Sequence, residues 1–399
     1  MILKVIAGYW WCNGRYLIAL LFVNLTEMRI FAFKHIFFSL AGLLWAAGCF
    51  AGNEKDSVEI FKRYISIDNV CAWPNLSTLK DGTQIATIFN KPSHGRMQGD
   101  VECWASVDGG KSWQKRGTPA AHEPMTNRMN VAAGLGNNGD LVVIASGWAL
   151  KPGSKQDGLF DLTEIIAPWV SRSGDGGKNW EVVKKDAFPK ADPGFTGYIP
   201  FGDILKAADG SLRVIAYNQS NNKAINTVSV FKSTDDGKSW KWFSRISDGI
   251  ATAFAGGHNE TALFHSGGGK WIAAARRWKA GQAMDLFISE DDGKSWKLSG
   301  PLTTENQHPG HITILKNGEL LLTFGNRTQG KNGVAVKLSK DNGITWEKER
   351  YLITDLKSGD CGYPASVQLD DGSLMTVYYA NGTAAHSRYH MGTVIWKLK

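Results

Sequence analysis

The chain has 399 residues, long enough for two or three ordinary domains or one large repeat fold. Charged residues make up 21% and apolar residues 43%, which excludes a disordered chain, and twelve prolines without a Gly-X-Y period exclude collagen. The net charge of +8 contains no run of five or more Lys or Arg, so nucleic acid is not the expected partner, while 45 Gly and 16 Trp favour a turn-rich, all-β protein over long helices.

The first 51 residues are not expected in the fold. Arg29, Lys34 and His35 precede an apolar run over 36–50, and small residues follow at Cys49, Ala51 and Gly52. Basic, then apolar, then small is the order of a secretory signal. The run is about 15 residues, short of the ~20 that a membrane span needs. Residues 1–27 fit neither role and suggest that Met28 is the true start. Ala46-Ala47-Gly48-Cys49 is similar to a bacterial lipobox, which would place a lipid anchor at Cys49. Periplasmic, outer-membrane lipoprotein and free secreted forms therefore all stay open. Without the leader the net charge falls to +5, which suits an acidic substrate. Cys71, Cys103 and Cys361 form no CxxC pair, so no zinc site, other metal or cofactor is expected. An exported chain allows a Cys71–Cys103 disulfide.

From residue 52 onward the chain repeats. The pattern Ser-x-Asp-x-Gly-x-[Ser/Thr/Asn]-Trp occurs at 106–113, 173–180, 233–240, 289–296 and 339–346. Its Asp accepts backbone N–H bonds and its Gly takes a left-handed φ, so it reads as a structural turn with Trp packed beneath it. A second repeat is a hairpin with a tight Gly turn, and it has six copies. They span 76–89, 131–146, 204–217, 262–276, 312–324 and 367–379. Each of the first five is followed by one octapeptide. Six units of about 58 residues suit four-stranded propeller blades. The last unit ends in one strand near 392–398, and an early strand near 57–64 is expected to complete it and close the ring. No linker interrupts 52–399, which reads as one domain, expected to be monomeric.

The octapeptides resemble the Asp-box, or BNR, repeat. With six hairpins they resemble the sialidase superfamily across nearly the whole chain after the leader, and this implies an all-β, six-bladed β-propeller of the sialidase type. The resemblance also implies an exo-glycosidase with a tyrosine nucleophile, its glutamate base, an aspartate acid/base and three arginines that hold the substrate carboxylate. A neutral phenol suits such a substrate because an anionic nucleophile would be repelled. Arginine forks match the carboxylate.

The residue eight before each hairpin turn is Trp73, Asn130, Phe201, Glu260, Pro309 and Tyr363. These positions should be equivalent around the ring. Glu260 and Tyr363 then stand as base and nucleophile, with Arg276 following Glu260 across one hairpin as in sialidases. The acid/base is either Asp100 or His94, both in the long loop of the first unit. The first arginine of the family is absent, since Ala72-Trp73-Pro74 stands where Arg-Ile-Pro would. Lys331 occupies the place of the third, with Arg327 close by. Arg276, Arg327 and Arg128 are the candidates for a rebuilt clamp, and Trp73, His258 and His311 are further substrate-binding candidates.

Three functions fit these residues. The first is an exported exo-glycosidase acting on terminal sialic acid-like sugars of glycans. The second is a propeller enzyme processing rhamnose linked to glucuronate, by hydrolysis or lyase chemistry, with His94 as the key residue. The third is a glycan-binding propeller without turnover. A base beside a phenol favours an enzyme.

Overall fold

The computed structural model describes residues 4–12, 15–23, 57–153, 159–249, 256–279 and 281–399. The chain divides into two units. In the first, Met1–Ser57, strands Lys4–Cys12 and Arg15–Val23 form an antiparallel hairpin. The signal order at 28–51 and the anchor at Cys49 lie outside the described residues.

The second unit, Val58–Lys399, is built from strands, with no helix among the described residues. Six inner strands recur along it: Cys71–Thr78, Asn130–Leu135, Ile199–Lys206, His258–Gly267, Gln307–Ile314 and Cys361–Gln368. Each pairs antiparallel with the strand after it, through the Gly turns expected from the hairpins. Each inner strand also contacts the next inner strand, and the sixth contacts the first, so the ring closes. We number the strand groups blades 1 to 6 in that order. Four are separate four-stranded sheets, while blades 2 and 3 merge into one eight-stranded sheet. They merge because residues 132–134 run parallel to 202–204. Gly134 permits this approach, since a methyl group there would collide with the Ile204 carbonyl oxygen.

The fourth strand of blade 6 comes from the start of the unit. Val58–Asp68 pairs antiparallel with Tyr389–Leu398, with Val58 opposite Leu398. Second strands such as Gln84–Phe89 and Leu320–Asn326 are buried along their whole length. A strand covered on both faces reads as a continuous apolar run rather than an alternating one.

The five octapeptides fold alike. In the first, Asp108 Oδ1 accepts from the backbone N–H of Lys111 at 3.0 Å and of Ser112 at 2.9 Å, and Gly110 N–H donates to Ser106 Oγ at 2.8 Å. The bond to Oδ1 from the residue four on and the Gly-to-Ser bond recur around Asp175, Asp235, Asp291 and Asp341. The octapeptide glycine also faces the preceding blade. Gly110 abuts Met375, Gly177 abuts Cys103, Gly237 abuts Val142 and Gly343 abuts Ile272. The repeat therefore shapes a turn and leaves room for a neighbouring blade.

The disulfide that an exported chain allows is not formed. Cys71, Cys103 and Cys361 are all buried free thiols. Cys71 sits on the first strand of blade 1 and Cys103 on the third, with Gln84–Phe89 between them. Two strand spacings are roughly 9–10 Å, beyond the ~7 Å limit for a disulfide.

Candidate active site

The inner strands bend where the site begins. In blades 1, 4, 5 and 6 the register slips between Cys71 and Asn75, His258 and Thr261, Gln307 and Gly310, and Gly362 and Ala365. Such bulges re-aim the side chains inside them. Those side chains include Trp73, Glu260, Pro309 and Tyr363, four of the positions that the hairpin spacing makes equivalent. Trp73 and Tyr363 hold left-handed φ values of 44° and 48°, which are uncommon for bulky residues and typical of functional sites.

A cavity of about 310 Å³ opens at these bulges, and Trp73, Asn130, Glu260, Tyr363, Arg276 and Arg327 all line it. Trp148, Leu162 and Ile165 form an apolar wall from the long second and third strands of blade 2, Leu141–Pro152 and Phe160–Ser173. Tyr217, Gln219, Asn226, Asn259 and Trp278 close the side toward blades 3 and 4. No sequence signal singled out these wall residues.

Tyr363 and Glu260 meet across 103 positions of sequence. Tyr363 Oη donates to Glu260 Oε1 at 2.7 Å. Arg276 Nη1 donates to Glu260 Oε2 and lies 3.2 Å from Tyr363 Oη. Arg327 sits with its guanidinium 5.4 Å from the Tyr363 ring centroid. Burial pushes the Tyr363 phenol above its ordinary range, and the Glu260 carboxylate adds to this, so the group rests as a neutral donor. Burial opposes the charge on Arg276, but Glu260 and Tyr363 outweigh it and hold the guanidinium charged.

Several buried polar atoms here have no partner among the described residues. Donors are Arg276 Nε and Arg327 Nε and Nη2, and acceptors are Oδ1 of Asn130, Asn226 and Asn259. Buried groups of this kind are normally satisfied, so the cavity suits a ligand with both acceptors and donors.

His94 also lines the cavity, while the structure takes other candidates elsewhere. Asp100 is not among the lining residues. Its carboxylate accepts from the His122 backbone N–H at 2.8 Å and from Asn90 Nδ2 at 3.2 Å, and it pairs with the His122 ring at 2.6 Å. Burial raises its pKa, but these bonds outweigh that and hold it below the usual carboxylate range. Arg128 is spent on structure. Its guanidinium stacks 3.5 Å from the Trp169 ring centroid and donates to the Ala167 carbonyl at 2.8 Å. His258 is wholly buried between Ser247 Oγ and Asp285. His311 pairs with Asp203 at 3.0 Å and lines a separate cavity of about 30 Å³, which shares Trp73 and Tyr363 with the larger one. Lys331 lies over the Tyr351 ring, so Arg327 is the cation that reaches the site. Among the described residues no cluster of three or more His, Cys, Asp or Glu side chains is arranged to hold a metal ion.

The model of the BNR repeat-like domain family matches residues 172–376. A sialidase of Bacteroides fragilis is 23% identical over 367 residues, covering 82% of this chain and 63% of that protein. A sialidase of Paraclostridium sordellii is 23% identical over 262 residues, covering 55% of this chain and 62% of that protein. The chain thus spans less than two thirds of the length of these relatives. Among solved structures, a protein of unknown function from Dyadobacter fermentans superposes with a TM-score of 0.71 at 20% identity, covering 86% of this chain and 100% of the other. Trypanosoma rangeli sialidase in complex with sialic acid superposes with a TM-score of 0.61 at 17% identity, covering 85% of this chain and 57% of the other. At these identities the structural likeness is one of fold, an all-β propeller of the sialidase type. With the repeat-family model matching half of the chain and the octapeptides folding alike, this chain belongs to the BNR-repeat family of the sialidase superfamily.

Proposed function

We propose that this protein is an exo-acting glycoside hydrolase that removes a terminal acidic sugar of the sialic acid kind, with Tyr363 as nucleophile and Glu260 as its base. One observation carries the reading: Tyr363 Oη donates to Glu260 Oε1 at 2.7 Å inside a cavity that also takes in Arg276 and Arg327. A neutral phenol approaches an anomeric carbon that bears a carboxylate without charge repulsion. As its oxygen bonds to that carbon, its proton passes to Glu260. The unpartnered donors of Arg276 and Arg327 suit the carboxylate, and the three asparagine acceptors suit sugar hydroxyls. With Ala72 where a first arginine would stand, the clamp has two arms. A cavity of about 310 Å³ suits one sugar residue. The relatives named as sialidases point the same way. The signal-like order at 28–51 supports export to where such glycans are met.

The test is release of sugar. The protein is incubated with sialyllactose and, separately, with rhamnosyl-glucuronate oligosaccharides, and free monosaccharide is measured. The expected result is release of sialic acid, lost by about 10³-fold or more in Tyr363→Phe. Release that survives this change would sink the nucleophile assignment. Release of rhamnose alone would transfer the protein to the rhamnose-glucuronate reading. Binding of acidic glycans without turnover would make it a glycan-binding propeller.

A further inference from the structure

Hydrolysis at Tyr363 leaves two proton transfers without a residue. The departing glycosidic oxygen needs a proton, and the water that later attacks must lose one. Asp100 is fixed as a carboxylate by His122 and Asn90, away from the lining of the cavity. His94 is on that lining, with its ring 5.9 Å from Trp73, which in turn lies 5.3 Å from Tyr363.

His94 is held by a support that the Tyr363–Glu260 pair does not use. Its Nδ1 lies 3.2 Å from Asp360 Oδ1. Asp360 is itself fixed: Tyr379 Oη donates to Oδ1 at 2.6 Å, and Tyr389 Oη donates to Oδ2. Tyr379 is fully buried, and its ring lies 6.4 Å from that of His94. Burial pushes the Asp360 carboxyl up, but the bonds from His94, Tyr379 and Tyr389 outweigh it and hold the group well below the usual carboxylate range. A fixed carboxylate takes the Nδ1–H of the imidazole, which leaves Nε2 as the nitrogen able to exchange a proton with a ligand. Two tyrosine hydroxyls thus orient one carboxylate, and that carboxylate orients one ring at the cavity. A histidine that served only as surface would need neither.

We propose that His94 is the general acid/base of this site and that Asp360 is its positioning residue, so that an Asp–His pair does the work of a single carboxylic acid. The inference rests on the Tyr363–Glu260 reading. In the first half-reaction Tyr363 Oη bonds to the anomeric carbon as the bond to the glycosidic oxygen breaks. The phenol proton passes to Glu260, and imidazolium His94 gives its Nε2 proton to the departing oxygen. In the second, a water oxygen bonds to the anomeric carbon as the bond to Tyr363 breaks. The water proton passes to His94 Nε2, and Glu260 returns its proton to Tyr363. Every group ends as it began.

Leaving-group dependence tests this. Sialyllactose has an alcohol leaving group that needs protonation, whereas 4-methylumbelliferyl sialoside releases a phenol that leaves unaided. His94→Gln is expected to lower kcat/KM on sialyllactose by about 10²–10⁴-fold and on the aryl sialoside by less than about 10-fold. Asp360→Asn keeps an acceptor but loses the charge. It should lower kcat on sialyllactose by about 10-fold or more with KM little changed, and the rate on the aryl sialoside by much less. Tyr389→Phe removes only one support of Asp360 and should show the same selectivity, more weakly. Equal losses on both substrates in His94→Gln, or parental kcat on sialyllactose in Asp360→Asn and Tyr389→Phe alike, would overturn the proposal. In that outcome the Tyr363–Glu260 reading still stands if Tyr363→Phe abolishes aryl turnover. A parent protein inactive on both sialosides overturns that reading, and the proposal with it.

Discussion

Glu260 serves two neighbours, and they separate its roles. Its Oε1 accepts from Tyr363 and its Oε2 from Arg276. Glu260 is 4% exposed and Arg276 9%, so the ion pair is largely out of water. Removing one partner of a buried pair leaves a charge uncompensated, at a cost of about 3–5 kcal/mol. Removing a phenol hydroxyl from a bonded carboxylate costs about 1–2 kcal/mol. Glu260→Gln and Tyr363→Phe should both lose turnover, yet Glu260→Gln should lower the melting temperature further. Thermal unfolding of the two variants side by side checks this, and equal shifts would mean that Arg276 finds another partner. Not all of this was legible in the sequence. Hairpin spacing alone put Glu260 and Tyr363 on one ring position, because turns fix register. It could not show that Arg128 is consumed by Trp169, or that Asp360 holds His94, since those contacts join segments with no shared local pattern.

At the scale of the element, the octapeptide turn is an electrostatic device as well as a steric one. Slight burial raises the pKa of Asp108, but the bonds from Ser112, Ser106 and Lys111 outweigh it and bring the carboxyl from 3.8 to about 2. Asp291 and Asp341 are likewise held at about 2. A carboxyl whose folded value lies below its unfolded one stabilises the fold above the unfolded value, and this is lost as pH falls through the folded value. The contribution of these turns is therefore complete above about pH 5 and disappears between pH 4 and 2. Asp108→Asn should cost about 1 kcal/mol at neutral pH, a modest figure because the turn is exposed. Its melting temperature should converge on that of the parent as pH approaches 2. Melting curves across this range test the sign, and a gap that widens in acid would refute it. The octapeptide was readable because its turn is local. Its second duty, seating Gly110 against Met375 and Gly177 against Cys103 of the preceding blades, appears only once the ring is assembled.

Over the whole molecule, the ring is held shut by pairing between its two ends. Tyr389–Leu398 has Leu374–Asn381 on one side and Val58–Asp68 on the other. Its Met391 and Trp396 are fully buried. Without Val58–Asp68 it becomes an open edge, which invites association with other chains. The sequence indicated this closure because the last unit lacked a strand and an unassigned strand stood at the start of the propeller. The merger of blades 2 and 3 was not legible, since a parallel contact between inner strands leaves no periodic trace. If closure depends on the pairing rather than on chain order, the chain can be cut elsewhere. Val58 lies opposite Leu398, so a linker of about two to four residues can join Lys399 to Ser57 as a hairpin. New ends can be placed between Asn317 and Gly318, an exposed turn. This permutant should melt within about 3 °C of the linear 57–399 chain, because the turn supplies few of the contacts that set global stability. A chain beginning at Asn69, which keeps every inner strand but lacks the closing one, should precipitate or lose cooperative unfolding. Circular dichroism melts of the three proteins decide the matter: if the chain from Asn69 melts like the linear chain, the closing strand is dispensable and the inner ring alone holds the molecule together.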